Sequence, residues 1–160
     1  MAEQKTNVMR LLDHNKIPYC AHAYPHGDTA VDGVTVAGLI GKTPEIVFKT
    51  LVARGSSKSV CVFVIPVCAE LDLKRAAKAA GEKSVEMVHV SEINALTGDV
   101  RGGCSPLGMK KQYKTFFDSS CLAQESIVVS AGKIGAQVEL SPQELIKLTR
   151  GAAAALTKEL

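Results

Sequence analysis

Tryptophan is absent from the 160 residues, and only four phenylalanines and three tyrosines are present. A chain this poor in aromatics has no stacking platform of the kind that single-strand-binding proteins use. Its core has to come from Val, Ile, Leu and Ala. No apolar run approaches the ~20 residues of a membrane span. The start, Met1-Ala2-Glu3-Gln4-Lys5-Thr6, lacks the apolar stretch of a signal peptide. Neither sign of charge dominates: 19 basic residues face 16 acidic ones, for a net charge of +3. That excess is far below that of a protein that coats nucleic acid, yet it permits a transient contact with a phosphate backbone. The five cysteines, at 20, 61, 68, 104 and 121, are odd in number and include no C-x-x-C pair. No Cys/His cluster has zinc-finger spacing. These absences argue against a disulfide framework, a metal site and a cofactor, and fit a reduced, cytoplasmic setting.

What is present reads as one mixed α/β domain over residues 1–160. Hydrophobic residues make up 46% and charged residues 22%, the balance of an ordinary globular domain. Thr6 is placed to cap a helix with apolar positions Val8, Met9, Leu11 and Leu12, which Ile17-Pro18 ends. Residues 19–24 read as a strand, and Pro25-His26-Gly27-Asp28 as a loop. Residues 31–40 have helical spacing closed by Gly41, and Thr43-Pro44-Glu45 opens a short turn. Residues 46–53 and 60–67 read as strands joined by Gly55-Ser56-Ser57-Lys58. The second, VCVFVIPV, is apolar on both faces, as in a central strand covered on two sides. Asp72 and Gly81 bracket the helix LKRAAKAA. Residues 85–90 predict a strand, 91–96 a helical turn, 115–117 a short strand, and 126–130 with 135–140 a hairpin. Ser141-Pro142-Gln143-Glu144 predicts a capping box with proline at the first helical position. The tail GAAAALTKEL predicts a weakly specified helix or a frayed end. Hairpins mixed with helices favour a mixed sheet surrounded by helices over alternating βαβ units.

Lys49 is the most informative residue. In the strand IVFKTLVA it shares a face with Val47, Leu51 and Ala53, and the other face is also largely apolar. A lysine there is costly unless it is paired or lines a cavity. Two readings follow: its stem lies along the core while the ammonium reaches the rim, or the ammonium binds a ligand. The loop Gly102-Gly103-Cys104-Ser105-Pro106-Leu107-Gly108 is the second candidate. Its glycines let backbone amides approach a phosphate, a carboxylate or a developing oxyanion; a tight turn that needs glycine dihedrals is the alternative. Cys104 and Ser105 suggest a nucleophile, but a nucleophile needs a positioned base, and His14, His22, His26 and His89 are scattered with no supporting motif. Gly132-Lys133 fails as a P-loop, because Ile134 and Ile127 stand where Ser/Thr and the first glycine belong. Lys74, Arg75 and Lys78, and then Lys110, Lys111 and Lys114, form basic clusters that are either solvated surface or a patch for phosphates.

Several segments in order resemble the YbaK/EbsC family. They are KTNVMRLLD, VFKTLVARG around Lys49, FVIPVCAELDLKRAAKAAG, VEMVHVSEINALTGDVRGGCSPLGMKK and IVVSAGKIGAQVELSPQELIKL. The resemblance runs from about residue 5 to residue 148. It implies the editing-domain fold also found inserted in bacterial prolyl-tRNA synthetases, with a central mixed, partly barrel-like sheet surrounded by helices. It implies a task as well: removing cysteine from mischarged Cys-tRNA(Pro), beside a prolyl-tRNA synthetase that cannot fully reject a near-isosteric amino acid.

In that family the thiol of the substrate's own cysteine attacks its ester carbonyl, so no protein nucleophile is needed. The resemblance assigns Lys49 to the phosphate or ribose oxygens of the tRNA 3′ end. It assigns Gly102, Gly103 and Ser105 to the carbonyl-holding loop, and Tyr24 to the pocket. Gln137 stands where some members carry an aspartate. A carboxylate there could form an ion pair with the substrate's α-amino group, whereas Gln offers only a neutral acceptor. The competing readings are an editing hydrolase that uses water on Ala-tRNA(Pro) or another mischarged tRNA, and a non-catalytic module that binds tRNA or a synthetase.

Overall fold

The structure is a computed structural model that describes residues 5–26, 31–99 and 103–158. Thr6 caps α1 (Asn7–His14), its hydroxyl accepting the Met9 N–H, and α1 buries Val8, Met9 and Leu12. The chain then enters β1 (Cys20–Ala23). Asp32 caps α2 (Gly33–Leu39). Next come β2 (Phe48–Gly55) and β3 (Val60–Pro66), paired antiparallel from Phe48↔Pro66 to Arg54↔Val60. The apolar run around β3 is a central strand: its flanks are β2 and β5 (Lys114–Asp118). Asp72 caps α3 (Leu73–Ala80) by accepting the Lys74 and Arg75 amides, and Gly81 closes it in the left-handed conformation.

Beyond α3 the chain departs from the sequence reading in three places. The predicted strand over 85–90 is only β4 (Val85–Met87), because His89 caps α4 (Val90–Thr97) in a capping box with Glu92. The hairpin is present as β6 (Ile127–Ser130) and β7 (Ala136–Leu140). The helix after it, α5 (Pro142–Thr149), carries Pro142 in its first turn as expected, but Ser141 makes no side-chain cap. Its hydroxyl instead donates to Gln143 Oε1 at 2.9 Å.

The third departure is the tail. Residues 152–154 form β8 (Ala152–Ala154), parallel to β5, rather than a helix or a frayed end. Asp118 Oδ1 accepts the Leu156 N–H at 3.0 Å, and Leu156 is fully buried. Burying a leucine side chain contributes about 1.5–3 kcal/mol, which outweighs the weak local helix preference of an alanine run.

The strands form two sheets, β1-β7-β6 and β4-β2-β3-β5-β8. One parallel bridge, Val47↔Val128, joins them, with the Val128 N–H donating to Ile46 O at 2.8 Å. The result is the mixed, partly barrel-like sheet that the resemblance implies. Phe48, Val62 and Val64 face one core with α1, β6 and β7. Ala53, Phe63 and Ile65 face a second core against α3.

Candidate functional site

Register decides which side chains meet, because opposed residues in a ladder share a face. Val47 bridges Val128, Val128 lies opposite Glu139, and Glu139 lies opposite Cys20. Two residues along, Ser130 lies opposite Gln137, and Gln137 opposite His22. Lys49 is the second residue beyond the bridge on β2, as Ser130 is on β6. One face of the joined sheets therefore carries Lys49, Ser130, Gln137 and His22. Lys49 and Gln137 are separated by two strand spacings, about 10 Å, with Ser130 between them. Tyr24 continues the β1 alternation; its N–H donates to Gly135 O at 3.0 Å and its side chain is buried.

The polar groups on this face divide into two kinds. Glu139 is saturated: it receives His22 Nε2 at 2.8 Å, Lys42 Nζ at 3.1 Å and Ser126 Oγ at 2.6 Å. Burial alone would raise its pKa, but these hydrogen bonds and the Lys42 charge prevail and lower it to about 2. Gln137 is the opposite case. It is buried, and its Oε1 has no hydrogen-bond partner among the described residues. Lys49 is partly buried and likewise has no partner among them. A buried acceptor left unpaired costs about 1–3 kcal/mol, so such a group marks a place built for something other than stability.

The glycine-rich loop lies against the turn that joins β6 and β7. A Cβ on Gly103 would come within 2.8 Å of Ile134 N and 2.9 Å of Lys133 C, so only glycine lets the loop lie against the β6–β7 turn. Gly132-Lys133 is that turn, as expected. Gly102 lies outside the described residues. Ser105 is fully buried; its N–H donates to Asp99 Oδ2 at 3.1 Å and its hydroxyl accepts the Leu107 N–H at 3.2 Å. Its own amide is therefore engaged within the loop. Gly103 and Cys104 donate to no acceptor among the described residues.

Nucleophile chemistry finds little support here. Burial, with the Asp99 carboxylate, pushes the Cys104 thiol up to about 12, so it stays protonated at neutral pH and unreactive. The Ser–His hydrogen bond present among the described residues, His89 Nδ1 to Ser91 Oγ at 2.9 Å, belongs to the α4 cap. His14 is exposed on α1. No group of three or more His, Cys, Asp or Glu side chains among the described residues is placed to hold a metal. No helix among them is long and apolar enough to cross a membrane.

Known proteins place this geometry. A model of the aminoacyl-tRNA editing domain matches residues 25–148. The chain belongs to the aminoacyl-tRNA editing domain family. Within that family it is 43% identical over 155 residues to EbsC of Enterococcus faecalis, named as a Cys-tRNA(Pro)/Cys-tRNA(Cys) deacylase; the match covers 97% of this chain and 94% of that one. A crystal structure assigned to a trans-editing enzyme for prolyl tRNA synthetase superposes with a TM-score of 0.82 at 21% identity, covering 98% of this chain and 100% of that one. A hypothetical protein superposes with a TM-score of 0.84 at 22% identity, covering 94% and 99%. At such identities the structures speak to the fold alone. The editing domain is an aminoacyl-tRNA deacylase, an enzyme that opens the ester between an amino acid and the tRNA 3′ end.

Of the residues named from the sequence and the resemblance, the fold brings Lys49, Tyr24 and Gln137 to one face. Ser130, not named from the sequence, lies there too, its hydroxyl accepting the Gly132 N–H at 3.2 Å opposite Gln137. A lone polar residue closing the buried strand IVVS before a glycine turn was the available signal. Nor was the tie between His22 and Glu139 named, which are 117 residues apart in sequence.

Proposed function

We propose that this editing domain removes cysteine from mischarged Cys-tRNA(Pro), using the substrate's own thiol as nucleophile. The observation that carries the reading is the presence on one face of a lysine, Lys49, and a buried acceptor, Gln137 Oε1, neither of which has a partner among the described residues. An aminoacylated 3′ end complements both: phosphate or ribose oxygens suit the ammonium, and the α-amino group donates to the amide oxygen. The amides of Gly102 and Gly103 would receive the carbonyl oxygen as charge develops on it. Ser105 supports that loop from beneath, and Tyr24 walls the pocket.

In the chemical step the cysteinyl sulfur, having lost its proton, attacks the ester carbonyl carbon. The S–C bond forms, the C–O bond to the ribose breaks, and the ribose oxygen takes up a proton. The products are cysteine thiolactone and tRNA with a free 3′ end. The protein supplies position and charge. This accords with a Cys104 thiol held protonated and a Ser105 hydroxyl engaged inside its loop. The modest net charge of +3 supports weak tRNA binding alone, with specificity borrowed from a prolyl-tRNA synthetase in the cytoplasm.

The test is deacylation of Cys-tRNA(Pro), Ala-tRNA(Pro) and Ser-tRNA(Pro), with Lys49→Ala as control. Loss of cysteine alone, abolished by the substitution, is the expected result. Comparable turnover of alanine or serine would indicate water as nucleophile and overturn the thiol mechanism. No turnover of any substrate would leave a tRNA- or synthetase-binding module. Strict discrimination of tRNA(Pro) from tRNA(Cys) without the synthetase would contradict the borrowed specificity.

A further inference from the structure

Asp99 is a carboxylate that neither the catalytic reading nor the ion-pair network uses. It lies just past the αL cap of α4, at Gly98, and is half-buried. No cation pairs with it among the described residues. Its N–H donates to Thr97 Oγ1 at 3.0 Å, and its carbonyl accepts Asn94 Nδ2 at 3.4 Å. Its Oδ2 reaches across the loop to accept the Ser105 N–H at 3.1 Å. Its Oδ1 lies beside the β6–β7 turn, 3.9 Å from where a Cβ on Gly132 would stand. The loop is fastened a second time where the Lys110 N–H donates to Thr97 O at 3.1 Å.

We propose that Asp99 is a positioning residue, which holds the Gly103–Ser105 segment so that the loop amides meet the substrate's carbonyl oxygen. By accepting from Ser105, the carboxylate satisfies an amide that points into the protein. The preceding amides of Gly103 and Cys104 are left with no internal acceptor among the described residues. Gly103 meanwhile lies against Ile134 and Lys133, so the loop is held both by Asp99, through Ser105, and by close packing on the β6–β7 turn. Burial raises the Asp99 pKa above its ordinary value, partly offset by the Ser105 hydrogen bond. Among the described residues no cation stands beside this carboxylate, and what it holds there is the Ser105 amide. Loop amides that receive a developing oxyanion tolerate little displacement, since a shift of about 1 Å can cost on the order of a hundredfold in rate.

This inference rests on the proposed use of the loop amides, and its test separates the two. Asp99→Ala and Asp99→Asn are compared with the unaltered protein on Cys-tRNA(Pro). Alanine removes the acceptor, and kcat should fall about ten- to a hundredfold with KM little changed. Asparagine keeps an acceptor oxygen and should restore most of kcat. Amide hydrogen exchange supplies a readout independent of activity: the Ser105 N–H should be protected in the unaltered protein and exposed in Asp99→Ala. Unchanged kcat in Asp99→Ala, an Asp99→Asn variant as impaired as alanine, or an unprotected Ser105 amide in the unaltered protein would each overturn the assignment. If the unaltered protein does not deacylate Cys-tRNA(Pro), the substrate reading fails, while the exchange measurement still decides the Asp99–Ser105 tie.

Discussion

Gln137 and Glu139 are two residues apart on β7 and point to the same face, yet their surroundings differ in kind. Glu139 is held by His22, Lys42 and Ser126; Gln137 Oε1 is buried with no donor among the described residues. The lysines repeat the contrast, with Lys42 tied to Glu139 and Lys49 tied to nothing among the described residues. A saturated polar group helps hold the sheets together. An unsatisfied one costs stability in the free protein and repays it when a ligand arrives. The two groups should therefore respond in opposite ways to substitution.

Lys49→Ala tests this most severely. Its kcat/KM on Cys-tRNA(Pro) should fall by about 10²–10³-fold, with a Tm equal to that of the unaltered protein. A large drop in Tm would place Lys49 among the structural groups and break the contrast. Gln137→Leu should lower kcat/KM by about ten- to a hundredfold, through loss of a bond to a charged donor, while raising unfolding stability by about 1 kcal/mol. Denaturant titration beside the kinetics checks both signs, and destabilisation would show that Gln137 is satisfied in solution.

Glu139→Gln should do the reverse, costing about 1–3 kcal/mol of stability. The pH dependence of unfolding sharpens the point. The folded protein holds this carboxyl at about 2, below its ordinary 4.5. Its contribution should be complete above about pH 4.5 and disappear as the pH falls towards 2. In Glu139→Gln that part of the acid dependence should vanish. The smallest effect belongs to Cys104→Ala, which removes a protonated, buried thiol and should leave kcat within about twofold. A collapse of activity there would revive a protein nucleophile.

The parts of the fold that were legible in the sequence are those fixed locally. Asp72 and Gly81 bracket α3 because capping and a left-handed glycine act within one turn. Lys49 stood out because its apolar neighbours on both faces are visible in the sequence itself. Where the outcome depends on distant partners, local reading failed. The alanine run at 152–154 became a strand because β5 offered an edge and Asp118 an anchor for Leu156. Ser141 is a local exception: it has the composition of a capping box, yet its hydroxyl donates to Gln143, only two residues on. Gln137 could be named from resemblance, but its lack of a donor among the described residues is a property of register and burial, which no linear pattern encodes.

The β1–β7 pairing has a consequence for how the chain folds. The β2–β3 hairpin closes through Arg54↔Val60, near neighbours in sequence, whereas the His22–Glu139 contact spans 117 residues. Closing the longer loop costs about 2–3 kcal/mol more in chain entropy, so contacts of this kind form late when nothing else brings the ends together. Gln137 and His22 meet only when that loop shuts. On chain entropy alone, the face that carries Gln137 and His22 is expected to assemble after the central hairpin, so a chain with only that hairpin formed would not yet present it.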